Sequence, residues 1–328
     1  MGRIIAKLFC IICVICLTAA SVLGYEKGPN ISDAAKTGAE TMEESKATII
    51  RLPWHIYRHY PADFSKWDAA AAGFKGWDAE VRDLDVSRCC LALMHFPDRG
   101  LTPDTEWGPD CQNPNYLGTV EWVPRAMDVV TFRMPRLIEA AREAGILVAH
   151  VGVGRRFDTD APIWDRCMEE VGEAPPKDND VIAGTAEWKA QHSRDVFDLP
   201  RENPPNVPPH KFTLPAVFIP QGDDIIAAQP WQLHRLLKNR GIDHIIYTGW
   251  ALNWCLWFSP CGMSDMSRKG YLCSAVRGGC VAIENKESAV GELNLEYALW
   301  KTSTMYGYVF ELHELTHALR EYTNSHSE

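Results

Sequence analysis

The sequence has 328 residues, of which 46% are hydrophobic and 23% are charged, and it contains 12 Trp. This composition is typical of a globular protein with a sizeable core and argues against a disordered chain. The formal net charge of −10 argues against nucleic acid as a partner, because neutralising phosphates requires a basic surface. The sequence contains no Lys/Arg-rich run, which argues against binding to an anionic membrane surface as well.

Residues 1–24 have the features of an export signal peptide. Arg3 and Lys7 precede an apolar stretch at 8–23, and small residues near its end suit cleavage. Cleavage removes two basic and no acidic residues, which changes the formal charge from −10 to −12. We expect an exported protein, periplasmic or extracellular, that has no membrane contact after cleavage. The alternative, an uncleaved membrane anchor, is disfavoured because the apolar stretch is short for a span.

Eight cysteines remain after the three in the apolar stretch are removed with the signal peptide. Export permits disulfides, but the spacings show no repeating framework, so the pairing stays open. Several of these cysteines lie in apolar runs, where the side chain behaves as a small hydrophobe. They are Cys89, Cys90, Cys111, Cys167, Cys255, Cys261, Cys273 and Cys280.

Residues 25–85 are predicted to be an N-terminal extension, polar at first and then aromatic-rich without clear periodicity. From residue 86 short apolar runs alternate with helical ones, which indicates βαβ units and a parallel sheet. A strand at 89–94 is followed by a helix from about Arg125 that Gly145 ends. The apolar positions of this helix are Val130, Met134, Leu137, Ile138 and Ala141.

Residues 154–215 are polar and Pro-rich, which predicts an insertion loop that serves as a lid or a contact surface. Further strands are predicted at 146–151, 224–228, 244–248, 271–276 and 306–310. Helices are predicted at 230–239, from 255 to about 270, at 290–302 and in the tail at 312–328. We therefore expect a three-layer α/β/α sandwich with a mainly parallel six-stranded sheet over residues 86–311.

Residues 240–271 read RGIDHIIYTGWALNWCLWFSPCGMSDMSRKGY. The order is a short GID turn, a strand, a glycine, a cysteine that opens a helix, and a closing Gly-Tyr. Together with the earlier passage RLIEAAREAGILVAHV, this segment resembles the isochorismatase-like cysteine hydrolase family. The resemblance extends from about residue 86 to 311 and implies the family's Rossmann-like sandwich.

The resemblance also implies positions for a catalytic set. The family uses a Cys that opens the helix after the fourth strand, an Asp after the first strand and a Lys after the third. The Cys position is Cys255, whereas the Asp position holds His95 and the Lys position lies at or near Ala228. The Thr of the cysteine motif is Leu252. By this resemblance the chain would be a divergent member of the family, in which two of the three groups are replaced.

Cys255 follows a predicted strand and begins a predicted helix, where unpaired amides and the positive helix end favour a thiolate. The backbone amides of Trp254 and Cys255 would bind an oxyanion. His95 would take the thiol proton, since imidazole and thiol form a complete nucleophile and base pair, and Asp98 would orient the imidazole. His234 is a weak candidate to replace the missing Lys. The alternative is an inert cysteine buried between tryptophans.

The tryptophans Trp231, Trp250, Trp254 and Trp257 lie near the same predicted crevice. With Leu252 they would line a pocket for a planar or apolar ligand. The alternative is that they belong to the buried core, which is the stronger interpretation for Trp257.

A literal H-E-x-x-H motif, typical of zinc proteases, occurs at residues 313–317. His313 and His317 would share a helix face, and Glu314 would activate a zinc-bound water. A catalytic zinc needs a third protein ligand, but the extended motif would require Gly and His where the chain has Arg320 and Thr323. A solvated terminal helix is the better interpretation, and we predict no metal or other cofactor.

These observations predict an exported cysteine hydrolase that acts on a small amide or a related acyl compound with a degenerate triad. The alternative is a catalytically inactive relative that serves as a binding or assembly module. In both cases the expected partner is a small molecule, and the resemblance also suggests self-association into a homo-oligomer.

Overall fold

The computed structural model describes residues 48–96, 122–152, 161–176, 191–192, 195–196 and 218–326. The strands are β1 (Ile49–Arg58), β2 (Gly76–Asp85), β3 (Cys89–Met94), β4 (Leu147–Val151), β5 (Ile225–Ala227), β6 (His244–Trp250), β7 (Leu272–Val281) and β8 (Val309–Glu311). The helices are α1 (Val123–Asp128), α2 (Met134–Glu143), α3 (Ala161–Val171), α4 (Pro230–Asn239), α5 (Cys255–Phe258), α6 (Met263–Ser267), α7 (Leu293–Met305) and α8 (Leu312–His326).

The strands form one sheet in the order β2-β1-β8-β7-β6-β3-β4-β5. The pairings from β8 through to β5 are all parallel, and β1 is antiparallel to both of its neighbours. The predicted α/β class with a mainly parallel sheet is confirmed. The β6-β3-β4 arrangement places the carboxyl ends of three adjacent strands at one edge, which is where open parallel sheets bind ligands.

The sheet has eight strands, and the prediction of six was wrong. The two extra strands, β1 and β2, lie in the predicted N-terminal extension and pair along ten residues each. Most β1 residues are half-buried rather than alternately buried and exposed. The strand therefore lacks the alternation of apolar and polar residues by which a strand is recognised in a sequence. Trp54 of β1 packs against Tyr308 and Phe310, which are distant in the sequence.

Helices cover both faces of the sheet and enclose two hydrophobic cores. The first core lies under α1, α2 and α8, and the second lies under α3 to α7. Each buried Leu or Ile contributes roughly 1.5–3 kcal/mol relative to an exposed one. The three-layer sandwich follows directly, because both faces of the parallel strands are apolar.

The helix predicted from about Arg125 occurs as α1 and α2, joined by a π-helical turn at Val129–Arg133. All five predicted apolar positions of this helix are buried. Gly145 follows with a φ of 79°, a left-handed conformation that suits a helix end. This part of the prediction is confirmed.

The predicted insertion loop at 154–215 contains helix α3. Cys167 and Val171 of α3 are buried in the second core, so this part of the segment contributes to the core. The other described parts of the segment are 172–176, 191–192 and 195–196. The predicted signal peptide at 1–24 lies outside the described residues. Within those residues, no helix is both long enough and apolar enough to cross a membrane.

A buried ionic cluster connects α2, β4 and the segment that precedes β5. Asp224 is 4% exposed. Its carboxylate accepts hydrogen bonds from Arg142 Nη2 at 2.5 Å, from His150 Nε2 at 3.2 Å and from the Gln221 amide at 3.1 Å. Burial by itself raises the pKa of Asp224, but the hydrogen bonds from His150 and Arg142 outweigh it, so the pKa lies below its usual value.

We expect Asp224→Asn to lower the free energy of unfolding by about 3 kcal/mol at pH 7, because it removes the buried counter-charge of the partly buried Arg142 guanidinium. Since the pKa of Asp224 is lowered in the folded protein, its stabilisation is present above about pH 4 and is lost as the pH falls through the folded-state value. Urea unfolding at several pH values measures both effects.

The exposed neighbour Asp223 supplies a matched control, since Asp223→Asn removes the same charge without breaking the cluster. Equal stability losses in the two variants at pH 7, or a loss in Asp224→Asn that does not shrink in acid, would contradict this account of the cluster.

Candidate functional site

The candidate site lies where β3 and β6 end side by side. Met94 pairs with Gly249, so His95 follows one strand and the turn at 251–254 follows its parallel neighbour. A Cβ on Gly249 would lie 1.9 Å from the Met94 carbonyl oxygen, and its φ of 121° also disfavours other residues. Only glycine permits the two strands to approach this closely.

The turn after β6 is attached to the end of β7. The Leu252 amide donates to the Val281 carbonyl at 2.8 Å. The side chain of Asn253 donates to the Ile283 carbonyl at 2.9 Å and accepts from the Ile283 amide at 3.0 Å. Local reasoning did not single out Asn253, although its place beside the cysteine motif was visible. These bonds hold the backbone that presents Cys255.

Cys255 is half-buried, whereas the other six described cysteines are buried, and no disulfide joins any of the seven. Burial raises the pKa of Cys261, Cys273 and Cys280 to about 12. Burial likewise raises the pKa of Cys89. These buried thiols therefore stay protonated near neutral pH. Among the seven described cysteines, Cys255 is the one that solvent partly reaches.

The helix that Cys255 begins is only four residues long. The continuous helix predicted from 255 to about 270 was wrong, because Pro260 and the left-handed Cys261, with a φ of 69°, separate α5 from α6. A single turn supplies little macrodipole. The Trp254 amide donates to the Ala251 carbonyl at 3.1 Å, so it is already satisfied, while no described carbonyl accepts the amide of Cys255.

His95 adopts a left-handed backbone conformation, with a φ of 57°. Its half-buried imidazole lies over Gly152, the residue after β4, because a Cβ built there would be 3.1 Å from the His95 Nε2 atom. A side chain at position 152 would displace the ring, so glycine makes room for it. A non-glycine residue in this region is uncommon and is often found at functional sites. Asp98, the predicted orienting group, lies outside the described residues.

The position of the family's Lys contains no cation. Ala228 follows β5, and its amide donates to the Gln232 side-chain oxygen at 3.0 Å. The Gln229 amide donates to the same oxygen at 2.9 Å. The Gln232 side chain therefore occupies the space directly after β5. The predicted substitute, His234, lies further along α4, 3.0 Å from the Tyr271 hydroxyl. Desolvation and the nearby Lys269 lower the pKa of His234, which disfavours a cation there.

Four buried aromatic residues fill the space on one side of the strand ends. Phe96 stacks on Phe218 with ring centroids 4.7 Å apart and meets Trp250 edge-on at 4.6 Å. Trp122 packs on Trp250 at 5.1 Å. Trp250 is only 3% exposed. It therefore belongs to the packed core, as the alternative interpretation stated.

The other predicted pocket residues do not line a common pocket with Trp250. Trp257 is buried in the second core, on the opposite face of the sheet. Trp231 packs against that same core with the Arg235 guanidinium over its ring, and the Leu252 side chain is fully buried. Trp254 is 45% exposed, which makes it the tryptophan of this set that a ligand near Cys255 reaches most easily.

Two residues of the H-E-x-x-H motif, Glu314 and His317, interact with other side chains of the protein. Glu314 accepts a hydrogen bond from His55 of β1 at 2.8 Å. His317 lies 3.4 Å from Glu321 on the exposed face of α8. Among the residues that the structure describes, no three His, Cys, Asp or Glu side chains are placed to hold a metal ion. Glu314 therefore attaches the terminal helix to the hairpin strand.

No protein-family model matches the sequence, and no curated protein does. Solved structures do match. A cysteine hydrolase from Pseudomonas syringae pv. phaseolicola 1448A is 16% identical over 73% of this chain and 95% of its own, with a TM-score of 0.42. An isochorismatase family protein from Burkholderia thailandensis is 17% identical over 71% and 96%, with a TM-score of 0.38. N-carbamoylsarcosine amidase from Thermoplasma acidophilum is 14% identical over 69% and 98%, with a TM-score of 0.38. The chain is similar in fold to these proteins, and the name of the second gives the family that the segment at 240–271 resembles.

Proposed function

We propose that the chain is an exported cysteine hydrolase that acts on a small amide or a related acyl compound. One observation carries the proposal. Among the described cysteines only Cys255 is partly exposed, and the strand beside β6 presents His95 at the same edge of the sheet. The proposal of export rests on the charged and apolar pattern of residues 1–24.

In this mechanism His95 accepts the proton of the Cys255 thiol, and the thiolate attacks the acyl carbon. The amide of Cys255 donates to the oxyanion that forms. The carbon–nitrogen bond breaks as His95 returns its proton to the leaving amine, which leaves a thioester. Water then loses a proton to His95 and attacks the thioester. The acid leaves, and the sulfur regains its proton.

The second candidate is a non-catalytic protein with the same scaffold that binds a small ligand or assembles with other copies. Two observations favour it. Gln232 and Ala228 close the place where a Lys would stabilise the developing charge, and aromatic side chains fill one side of the strand ends. The two candidates differ in the reactivity that they predict for Cys255.

We expect a small alkylating probe such as iodoacetamide to modify Cys255 faster than the six buried cysteines of the folded protein, since reaction requires an accessible thiolate. Quantitative mass spectrometry of the cysteine peptides over time measures the rates. The buried cysteines serve as internal controls, and Cys255→Ser abolishes the fast phase. If Cys255 reacts no faster than Cys273 or Cys280, it has no role as a nucleophile and the non-catalytic candidate stands.

We expect His95→Asn to slow the alkylation of Cys255 at pH 7 by about tenfold or more, because the thiol loses its proton acceptor. Asn is chosen because it tolerates the left-handed backbone that His95 adopts, so the variant tests the imidazole rather than the turn. The exposed helical residue His317 supplies the control His317→Asn, which should leave the rate unchanged. Equal rates in the wild type and in a folded His95→Asn variant would remove His95 from the mechanism.

A further inference from the structure

A half-open cavity lies at the carboxyl ends of β7 and β8, among α1, the start of α7 and the start of α8. We call it the rim cavity. Its volume is about 630 Å³, which lies in the range of small-molecule sites. Cys255 and His95 are not among the residues that line it. The rim cavity is therefore separate from the proposed hydrolase site, and the following proposal stands or falls independently of that function.

An irregularity in β7 opens the cavity. Tyr247 pairs with Ala275 and Gly249 pairs with Cys280, so five steps along β7 correspond to two along β6. The three extra residues form a bulge, a feature that often redirects side chains beside functional sites. Gly278 lies in this bulge with a φ of 86°. Its missing Cβ would stand 3.4 Å from the Leu312 Cβ atom, so glycine keeps this wall open.

Charges of both signs line the cavity in equal number: Arg125, Arg133 and Arg277 face Asp128, Glu292 and Glu311. The formal charge of the lining is therefore zero when the neighbouring His313 is neutral. A ligand with a net charge would bring an uncompensated charge into a partly desolvated space, which is unfavourable. A ligand that carries one charge of each sign meets no such penalty.

The ion pairs leave hydrogen-bonding capacity for a ligand. Arg277 Nε lies 3.0 Å from a Glu311 oxygen, yet its buried N–H makes no hydrogen bond to any described atom, since direction matters as well as distance. Arg125 lies 3.5 Å from the Glu292 carboxylate through its Nε atom and donates from Nη2 to the Ala282 carbonyl at 3.1 Å. Arg277 also pairs with Glu296, but a guanidinium has five N–H groups, so its two carboxylate partners leave the Nε–H available.

The remaining lining is apolar and includes Val129, Val281, Leu295 and Leu312. Such a wall favours an aliphatic or aromatic group next to the charged ends of a ligand. We propose that the rim cavity binds a zwitterionic small molecule of the amino-acid class with an apolar side chain. Its carboxylate accepts hydrogen bonds from the arginines, and its ammonium donates to the carboxylates of the lining.

The experiment titrates the full chain with L-phenylalanine by isothermal calorimetry, alongside 3-phenylpropionate and phenethylamine. The two analogues keep the phenyl group but lack the ammonium or the carboxylate. We expect saturable one-to-one binding of L-phenylalanine and at least tenfold weaker binding of both analogues. Equal affinities for all three probes, or no heat of binding for L-phenylalanine up to about 10 mM, would overturn the proposal.

Two variants locate the binding. Leu295→Trp fills the cavity without changing its charge, and Arg133→Gln removes one exposed guanidinium from its lining. Each is expected to weaken L-phenylalanine binding at least tenfold, whereas Arg51→Gln, which breaks a surface ion pair with Asp83 outside the cavity, leaves it unchanged. Thermal melting establishes that each variant is folded. Unchanged binding in both folded cavity variants would place the ligand elsewhere and refute the assignment.

Discussion

The close approach of β6 to β3 at Gly249 controls the geometry of the candidate site. No side chain fits against the Met94 carbonyl at this point, so the two parallel strands remain in register up to their ends. The chain then turns back, is held by Val281 and Ile283, and delivers Cys255 to the edge where His95 also lies. A larger residue at position 249 would separate the ends of β3 and β6, and with them the backbone that carries His95 and Cys255.

The two faces of the sheet make different contributions around this edge. On the face covered by α1, α2 and α8, Phe96, Phe218 and Trp250 pack against one another and exclude solvent. Cys255 packs against the opposite core but remains half-buried. The site is therefore closed by packed side chains on one side and partly exposed on the other.

Polar interactions attach the outer elements to this framework. The hairpin of β1 and β2 extends the sheet beside β8, and His55 joins it to Glu314 at the start of the terminal helix. At the other end of the sheet, Asp224 joins α2 to β4. Neither connection touches the candidate site, and both bring together groups that are far apart in the sequence. They stabilise the architecture at positions away from the ends of β3 and β6.

Local sequence patterns determined the strand at 89–94, the helix at 230–239 and the placement of His95 and Cys255 after the ends of strands, because periodicity and turn residues act over a few positions. Only the tertiary structure decided that β1 and β2 join the sheet, that Trp250 is buried with Phe218, and that a bulge in β7 opens a charged cavity. These features depend on partners more than thirty residues away, and no local pattern identifies such partners.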